Sequence, residues 1–214
     1  MKMTRTIRAE RVGVTREQIL TATERLFAED GVRAASNRRI SEAAGQGNTA
    51  AVGYHFGAKA DLVRAIVRRH AEPIEARRAR MVAAAEGSGD VRDWVSCMVR
   101  PVTEHLAELG SPTWYARFLA QVGTDPALCA ILQEENRTSP SLRLAVDGCH
   151  QCLPELPAAV RAERGEMTRQ LILHTCAGRE RALALGAATP RASWHDAATG
   201  LIDALVGLWL APAS

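Results

Sequence analysis

Aromatic residues and lysine are scarce in this sequence of 214 residues. Aromatic side chains make up 4% of the chain, and its two lysines, Lys2 and Lys59, stand beside 25 arginines. The β-branched and aromatic clusters that form strands are rare, whereas Ala, Leu, Arg and Glu, which favour helices, dominate. The composition therefore predicts an all-α protein.

Long apolar runs and enzyme signatures are also missing. No stretch approaches the roughly 18 uninterrupted apolar residues that a membrane-spanning helix needs, so we expect no membrane partner. The basic, polar start of the chain lacks the apolar core of a signal peptide, which favours a cytoplasmic location. The H-E-x-x-H, G-x-S-x-G, P-loop and Rossmann patterns are absent, so we expect neither an enzyme nor a cofactor.

Cysteine is too sparse for a disulfide scaffold, because five residues are an odd number in a chain of this size. Cys149 and Cys152 form a C-x-x-C arrangement, a spacing found in metal and redox sites. No second Cys/His pair at zinc-finger spacing follows, so we predict no metal site. A redox- or metal-responsive regulator that uses Cys149 and Cys152 stays open as an alternative function.

Positive charge is concentrated towards the N-terminus. Residues 1–80 hold 16 Lys and Arg against 9 Asp and Glu, whereas residues 81–214 hold 11 against 15. Such a distribution favours contact between the N-terminal part and a polyanion, although basic surfaces also simply aid solubility. Arg5, Arg8 and Arg11 form a basic arm over residues 1–14, which could contact phosphates or a minor groove.

Start and stop signals divide residues 15–71 into four predicted helices. Thr15 with Gln18 has the pattern of a capping box, so the first helix is expected to begin there. The second begins at Ser36 or Asn37, the third covers residues 50–55, and the fourth runs from residue 59 to about 71. Pro73 cannot donate an intrahelical bond, so it is expected to begin a new helix.

Two short helices that follow a longer one and are joined by a glycine-containing turn predict a helix-turn-helix. The segments Ile40-Ser-Glu-Ala-Ala-Gly45 and Ala51-Val-Gly-Tyr-His-Phe56-Gly-Ala-Lys59-Ala-Asp-Leu62 resemble the DNA-binding domain of the tetracycline-repressor (TetR) family. The turn is one residue longer than the commonest pattern, and it is similar to a variant branch with G-Q-x-N-x-x-A-V-x-Y-H-F. Gly53 stands where many members carry a DNA-contacting tyrosine, and Ala58 where a serine often caps the fourth helix.

The resemblance implies a set of residues that contact DNA. Arg38 would bind a base edge or a phosphate, and Lys59 would bind a phosphate at the start of the fourth helix. Other roles stay open for some positions, because Asn48 and Thr49 are also competent helix caps and an aromatic such as Tyr54 is often core. The predicted DNA-binding residues are Arg38, Arg39, Asn48, Thr49, Ala50, Gly53, Tyr54, His55 and Lys59.

Residues 72–214 are predicted to form a helical domain for ligand binding and dimerisation. Aromatic and apolar residues at helical spacing, with a few polar ones nearby, are typical of a small-molecule pocket, although most could be plain core. The candidate ligand-binding residues are Trp94, Met98, Val102, Trp114, Tyr115, Phe118, Gln121 and His174. The last two helices of family members form a four-helix bundle with a second subunit, which implies an interface here at Leu171, Thr175, Ile202, Leu205, Val206 and Trp209.

The resemblance thus implies a homodimeric DNA-binding transcriptional regulator, with a helix-turn-helix domain over residues 15–71. Its expected partners are an inverted-repeat operator in double-stranded DNA, a second copy of the chain and an unidentified small molecule. We expect a repressor that the small molecule releases from DNA.

Overall fold

The computed structural model describes residues 2–48 and 50–213, and it describes side chains from residue 13 onwards within those ranges. All the regular structure in these ranges is helical, which confirms the all-α prediction. The helices are α1 (Lys2–Asp30), α2 (Asn37–Ala43), α3 (Ala51–Phe56), α4 (Lys59–Ala84), α5 (Val91–Leu109), α6 (Tyr115–Val122), α7 (Pro126–Thr138), α8 (Pro140–Gln151), α9 (Ala158–Ala184) and α10 (Trp194–Leu210). Over the described residues, no helix is both long and apolar enough to cross a membrane.

Several helix ends follow from capping side chains that the sequence displays. The Ser36 hydroxyl accepts a hydrogen bond from the Arg39 backbone N–H and starts α2. The Ser193 hydroxyl likewise accepts from the Asp196 N–H at 3.0 Å and starts α10. The predicted start of α2 is therefore confirmed.

Two predicted helix boundaries were wrong, because α1 begins at Lys2 and not at Thr15, and α4 continues through Pro73. In the same way, α9 continues through Gly165. A proline removes one backbone bond and a glycine lowers helix propensity by about 1 kcal/mol. Because α4 buries Ile74 and Arg78 beyond the proline, and α9 buries Arg164 and Thr168 on either side of the glycine, tertiary contacts outweigh these local effects.

Two apolar clusters form the interior. The first joins α1, α2, α3 and the first half of α4 to α6, α7 and α9, and the second lies between the end of α4, α5, α8 and α10. The rings of Phe27 on α1 and Phe118 on α6 stack within the first cluster, with centroids 5.9 Å apart. The helix-turn-helix therefore shares one core with the C-terminal domain, and α4 passes unbroken across the predicted boundary at residues 71 and 72.

Candidate functional site

The short helices α2 and α3 are fixed to the body by their apolar faces. Ile40 on α2 and Val52 on α3 are fully buried, and Phe56 is 8% exposed. The turn between the helices contains Gly45 at φ +67°, a left-handed conformation that glycine adopts without strain. The Gln46 side-chain amide donates to the Gln18 side-chain oxygen of α1 at 3.0 Å, so the turn is also tied to α1.

The opposite face of α3 is exposed. Tyr54 is 82% exposed and its ring meets the His55 ring edge-on, with centroids 5.0 Å apart. Gly53 on the same helix and Ala50 just before it are also exposed. Outside the nearby backbone, no atom lies within 4 Å of the place where a Gly53 side chain would begin. This face is open enough to lie in a groove of DNA, and it excludes a core role for Tyr54.

The start of α3 is held by Asn48. Its side-chain oxygen accepts from the Ala50 backbone N–H at 2.9 Å, so this residue acts as a cap in the free protein. Thr49 lies outside the described residues. The side chains of Arg5, Arg8 and Arg11 of the predicted basic arm lie outside them too, and the backbone of this arm is part of α1.

The three predicted cations have different surroundings. Arg38 lies on the surface with its side chain 78% exposed and pairs with Glu42 at 2.8 Å, which raises its pKa. Arg39 binds Asp30 at 2.6 Å and the Ala34 carbonyl at 3.0 Å, so it closes the loop between α1 and α2. The Arg38 guanidinium is therefore freer than the Arg39 guanidinium to move towards DNA.

Lys59 is turned towards the protein. Its ammonium donates to the Val32 carbonyl at 2.9 Å and lies 6.0 Å from the centre of the Phe27 ring. This bond uses one of the three N–H donors of the ammonium, and the phosphate contact of Lys59 stays a prediction. Its geometry favours a structural role in joining α4 to the loop after α1.

Sequence reasoning missed Arg16. Its guanidinium donates to the His55 carbonyl at 3.1 Å and covers the Phe56 ring at 4.2 Å from the centroid. A cation at the C-terminal end of a helix satisfies a free carbonyl and complements the helix dipole. Arg16 thus holds the end of α3 from α1, and nothing local in the sequence connects two residues 39 positions apart.

A cavity of about 330 Å³ lies inside the C-terminal domain, with a mostly apolar wall. Met98, Val102 and Tyr115, all predicted ligand-binding residues, line it. Sequence reasoning missed the other lining residues, which come from α4, α7, α8 and α9 as well. They are Val67, Arg78, Leu106, Ala116, Leu119, Leu132, Asn136, Leu142, Val146, Gly165, Thr168, Arg169, Ile172, Leu173 and Cys176.

The two predicted ligand-binding tryptophans, Trp94 and Trp114, lie away from the cavity wall. The indole N–H of Trp94 donates to the Ser88 carbonyl at 3.0 Å, and its ring fills the space beside Gly148. The indole N–H of Trp114 donates to a Glu29 carboxylate oxygen at 3.0 Å, near α1. Each large ring is thus used to join two elements, and neither lines the cavity.

The remaining ligand-binding candidates also lie off the cavity wall. Phe118 is fully buried against Phe27, and the Gln121 side-chain oxygen approaches Gly31 near the end of α1. His174 is exposed in a groove between α9 and α10. Helical periodicity indicated that these residues lie on helices, but it could not tell which face of each helix lines the cavity.

A buried polar chain connects the cavity wall to α1. The Glu24 carboxylate lies 3.0 Å from Nε2 of His70, and Nδ1 of His70 lies 2.8 Å from Nε2 of His105. Arg69 also donates to Glu24. The Tyr115 ring, which lines the cavity, stacks on the His70 ring with centroids 3.8 Å apart. The cavity wall is therefore connected, through Tyr115 and His70, to a carboxylate on α1.

The predicted dimer residues divide into two groups. Ile202, Leu205 and Trp209 are 1%, 0% and 3% exposed in the single chain, because α10 packs its apolar face against α5. These three side chains cannot form an interface, and that expectation is corrected. Leu171 is 40% exposed and Thr175 is exposed one turn further along α9, while Val206 is half-buried.

Cys149, the first cysteine of the C-x-x-C pair, is buried. Burial raises the pKa of the Cys149 thiol to about 12, with a further contribution from Cys152, so the thiolate is scarce near neutral pH. The Cys152 thiol donates to the Ser88 carbonyl at 3.4 Å. No cluster of three or more metal-ligating side chains occurs among the described residues.

The fold and the exposed α3 together define a helix-turn-helix protein with a helical second domain. Residues 19–66 match the model of bacterial regulatory proteins of the tetR family. No curated protein shows a significant match to the chain.

Solved structures of TetR-family regulators share the fold. One from Rhodococcus sp. is 19% identical, with a TM-score of 0.58 over 90% of this chain and 98% of that one. PfmR from Thermus thermophilus is also 19% identical, with a TM-score of 0.55 over 93% and 98% of the two chains. One from Mesorhizobium loti is 13% identical, with a TM-score of 0.53 over 94% and 99%. The resemblance predicted from residues 15–70 is therefore confirmed, and the whole chain has the fold of TetR-family transcriptional regulators.

Proposed function

We propose that the protein is a transcriptional regulator that binds DNA as a homodimer and represses until a small molecule releases it. The exposed face of α3 carries this proposal: Tyr54, 82% exposed, projects from a helix whose other face is fixed by fully buried Val52. A helix held in this way can enter a major groove about 12 Å wide. The excess of basic residues over positions 1–80 also supports DNA binding by this part of the chain.

The DNA-binding part of the proposal is tested by selecting bound sequences from a random pool of DNA duplexes and footprinting the protein on the selected sequences. Two copies related by a two-fold axis require two half-sites in inverted orientation, with centres about 34–36 Å apart or a multiple of that distance. We expect a pseudo-palindrome. Full affinity for a single asymmetric half-site would contradict binding as a dimer.

The dimer surface that we propose lies on α9 and α10 and keeps Leu171 and Thr175 from the predicted interface. Leu171, Thr175 and Gly178 are exposed along one side of α9, and Ala204 is exposed on α10. They border a groove between the two helices. Small residues allow close approach of helices from a second subunit, and a four-helix bundle would cover this side.

The ligand-responsive half is supported by the cavity and by its connection to α1. A small molecule that contacts Tyr115 changes the surroundings of His70, and through Glu24 it shifts α1 relative to α4. By linkage, the ligand weakens DNA binding by the ratio of its affinities for the two arrangements, typically about 5–150-fold.

This half is tested with a fluorescently labelled operator from the site selection. A compound library is titrated against the complex, and the anisotropy of the operator reports release. A true effector lowers operator affinity and binds the protein without DNA. Compounds that bind in the cavity and leave operator affinity unchanged would contradict the release mechanism.

A further inference from the structure

One residue of the cavity wall has a buried hydroxyl group without a hydrogen-bond partner. Thr168 on α9 is 4% exposed and lines the cavity, and its Oγ1 has no partner among the described residues. Threonine in a helix commonly bonds a carbonyl one turn back, and buried hydroxyls are nearly always paired. The unpaired Thr168 hydroxyl therefore marks a place where a ligand atom completes the site.

Thr168 lies where the main cavity meets a second one of about 250 Å³ that extends towards Trp209. Met98, Val146 and Gly165 are shared by the two walls, so the two spaces adjoin at Thr168. A ligand in the main cavity can consequently place a polar group at one end, against the hydroxyl, with its apolar body among the aliphatic side chains.

The charges around the cavity disfavour an ionic ligand. Arg78 and Arg169 are in the wall, and the wall residues that the structure describes include no carboxylate. A cation would thus meet two guanidinium groups and no counter-charge.

An anion would also be disfavoured, because both guanidinium groups already have partners. Arg169 binds Glu166 with two contacts of 2.5 and 2.9 Å. Arg78 donates to the Cys97 carbonyl at 3.2 Å and lies 3.4 Å from the Glu75 carboxylate. An anionic ligand would have to displace Glu75 or Glu166, whereas an uncharged one requires no exchange of partners.

The size of the cavity restricts the ligand further. An apolar protein cavity of about 150 Å³ accepts one benzene ring. The main cavity, at about 330 Å³, is roughly twice as large. It fits a molecule of about two rings or an equivalent aliphatic skeleton.

We propose that this cavity binds an uncharged, mostly apolar molecule of about two rings, whose single hydroxyl or carbonyl oxygen pairs with the Thr168 hydroxyl. The inference rests on the proposed function in one respect, that the cavity is the effector site. It names the chemical class of that effector.

The test is calorimetric titration of the full-length protein, without DNA, using four probes that share one skeleton. They are β-naphthol, naphthalene, β-naphthoate and protonated β-naphthylmethylamine. We expect the wild-type protein to bind β-naphthol most tightly and naphthalene less tightly. The carboxylate and the ammonium should bind more weakly than either.

The Thr168→Val variant removes the hydroxyl and keeps the shape of the side chain. It should weaken β-naphthol binding by roughly tenfold, the size expected for one buried hydrogen bond, and leave naphthalene binding unchanged. Thr124→Val, at an exposed threonine outside the cavity wall, is the matched control and should change neither affinity. Removing an unpaired hydroxyl does not destabilise a core, so the Thr168→Val variant is expected to fold.

Each outcome decides one part of the inference. Equal binding of β-naphthol and naphthalene, or an unchanged preference in Thr168→Val, overturns the role of Thr168. Preference for either ion overturns the uncharged class. Binding of none of the four overturns the cavity as a site for this class. Operator binding, measured separately on the same preparation, still reports on the DNA-binding function in every case.

Discussion

Glu180 shows how one buried side chain can join two helices. It is 1% exposed on α9, and its carboxylate accepts from the backbone N–H groups of Ala116 and Arg117 at 3.1 and 2.9 Å. It also accepts from the Arg117 guanidinium at 3.1 Å. The carboxylate thus caps the start of α6 from outside the helix, beside Tyr115 of the cavity wall.

The variant Glu180→Gln is expected to lower the free energy of unfolding by about 3–5 kcal/mol, because Arg117 is left buried without a counter-charge. Urea unfolding followed by circular dichroism measures the change. Glu163→Gln, an exposed glutamate on the same helix, is the control and should stay within about 0.5 kcal/mol of the wild type. Equal stability of the two variants would mean that the buried pair contributes little.

His105 is expected to make stability depend on pH. Burial, with smaller contributions from His70 and Arg77, lowers its pKa from 6.5 to about 4, while Glu108 and Glu24 oppose the shift. The unfolded chain therefore binds this proton below about pH 6.5, and the folded protein binds it only below about pH 4. Between these values the free energy of unfolding rises with pH, by at most about 3 kcal/mol in total.

The variant His105→Gln keeps a hydrogen-bonding side chain and removes the titration. Its unfolding free energy should therefore rise less steeply between pH 4 and 6.5 than that of the wild type. His174→Gln, at an exposed histidine, controls for the loss of an imidazole as such. Parallel pH profiles for His105→Gln and the wild type would show that His105 does not carry the effect.

At the scale of elements, experiment can distinguish the roles of two cations of the helix-turn-helix, Arg38 and Lys59. Arg38 is exposed, so Arg38→Ala is expected to weaken DNA binding and to make its dependence on log salt shallower by about one. Lys59→Met should leave that slope unchanged and lower stability, because the ammonium binds the Val32 carbonyl. Operator titrations at several salt concentrations measure both slopes, and a shallower slope for Lys59→Met would restore its predicted phosphate contact.

The exposed face of α3 gives a second prediction at this scale. Tyr54→Ala should weaken operator binding at least tenfold and leave the unfolding free energy within about 0.5 kcal/mol, since the side chain is 82% exposed. Tyr54→Phe separates the ring from its hydroxyl. Leu144→Ala, at an exposed position on α8, is the control for DNA affinity. Unchanged affinity in Tyr54→Ala would place the DNA contact on another surface.

Local sequence signals succeeded where a structural feature depends on neighbouring residues. The Ser36 cap and the short α3 belong to this class, because each is decided within a few positions. The continuation of α4 through Pro73 does not, since distant helices supply the contacts that keep this helix intact. The same holds for the candidate site. Arg16 contacts His55, 39 positions away, and no local signal in the sequence predicts that contact.

At the scale of the whole molecule, the second subunit must use surface that the single chain leaves uncovered. Leu205 is fully buried between α10 and its neighbours, so Leu205→Glu would unfold the domain and would report nothing about dimerisation. Leu171, 40% exposed on α9, is a better probe because its side chain is only partly covered within the chain. A charge there can be solvated in a monomer but not in an apolar interface.

We expect Leu171→Glu to remain folded and to dissociate into monomers. A penalty of about 3 kcal/mol in the interface raises the dimer Kd by roughly a hundredfold. Sedimentation velocity over a range of concentrations measures the association, and circular dichroism confirms the helical content. Affinity for the inverted-repeat operator should fall together with dimerisation, because a monomer presents one α3 and contacts one half-site.

Leu144→Glu provides the matched control, since Leu144 is 55% exposed on α8, away from the groove between α9 and α10. It should sediment as the wild type does and bind the operator with unchanged affinity. A Leu171→Glu variant that stays dimeric would place the interface on another face. A monomeric variant that still binds the complete operator tightly would instead separate DNA binding from dimerisation, and it would remove the reason for expecting a two-fold symmetric site.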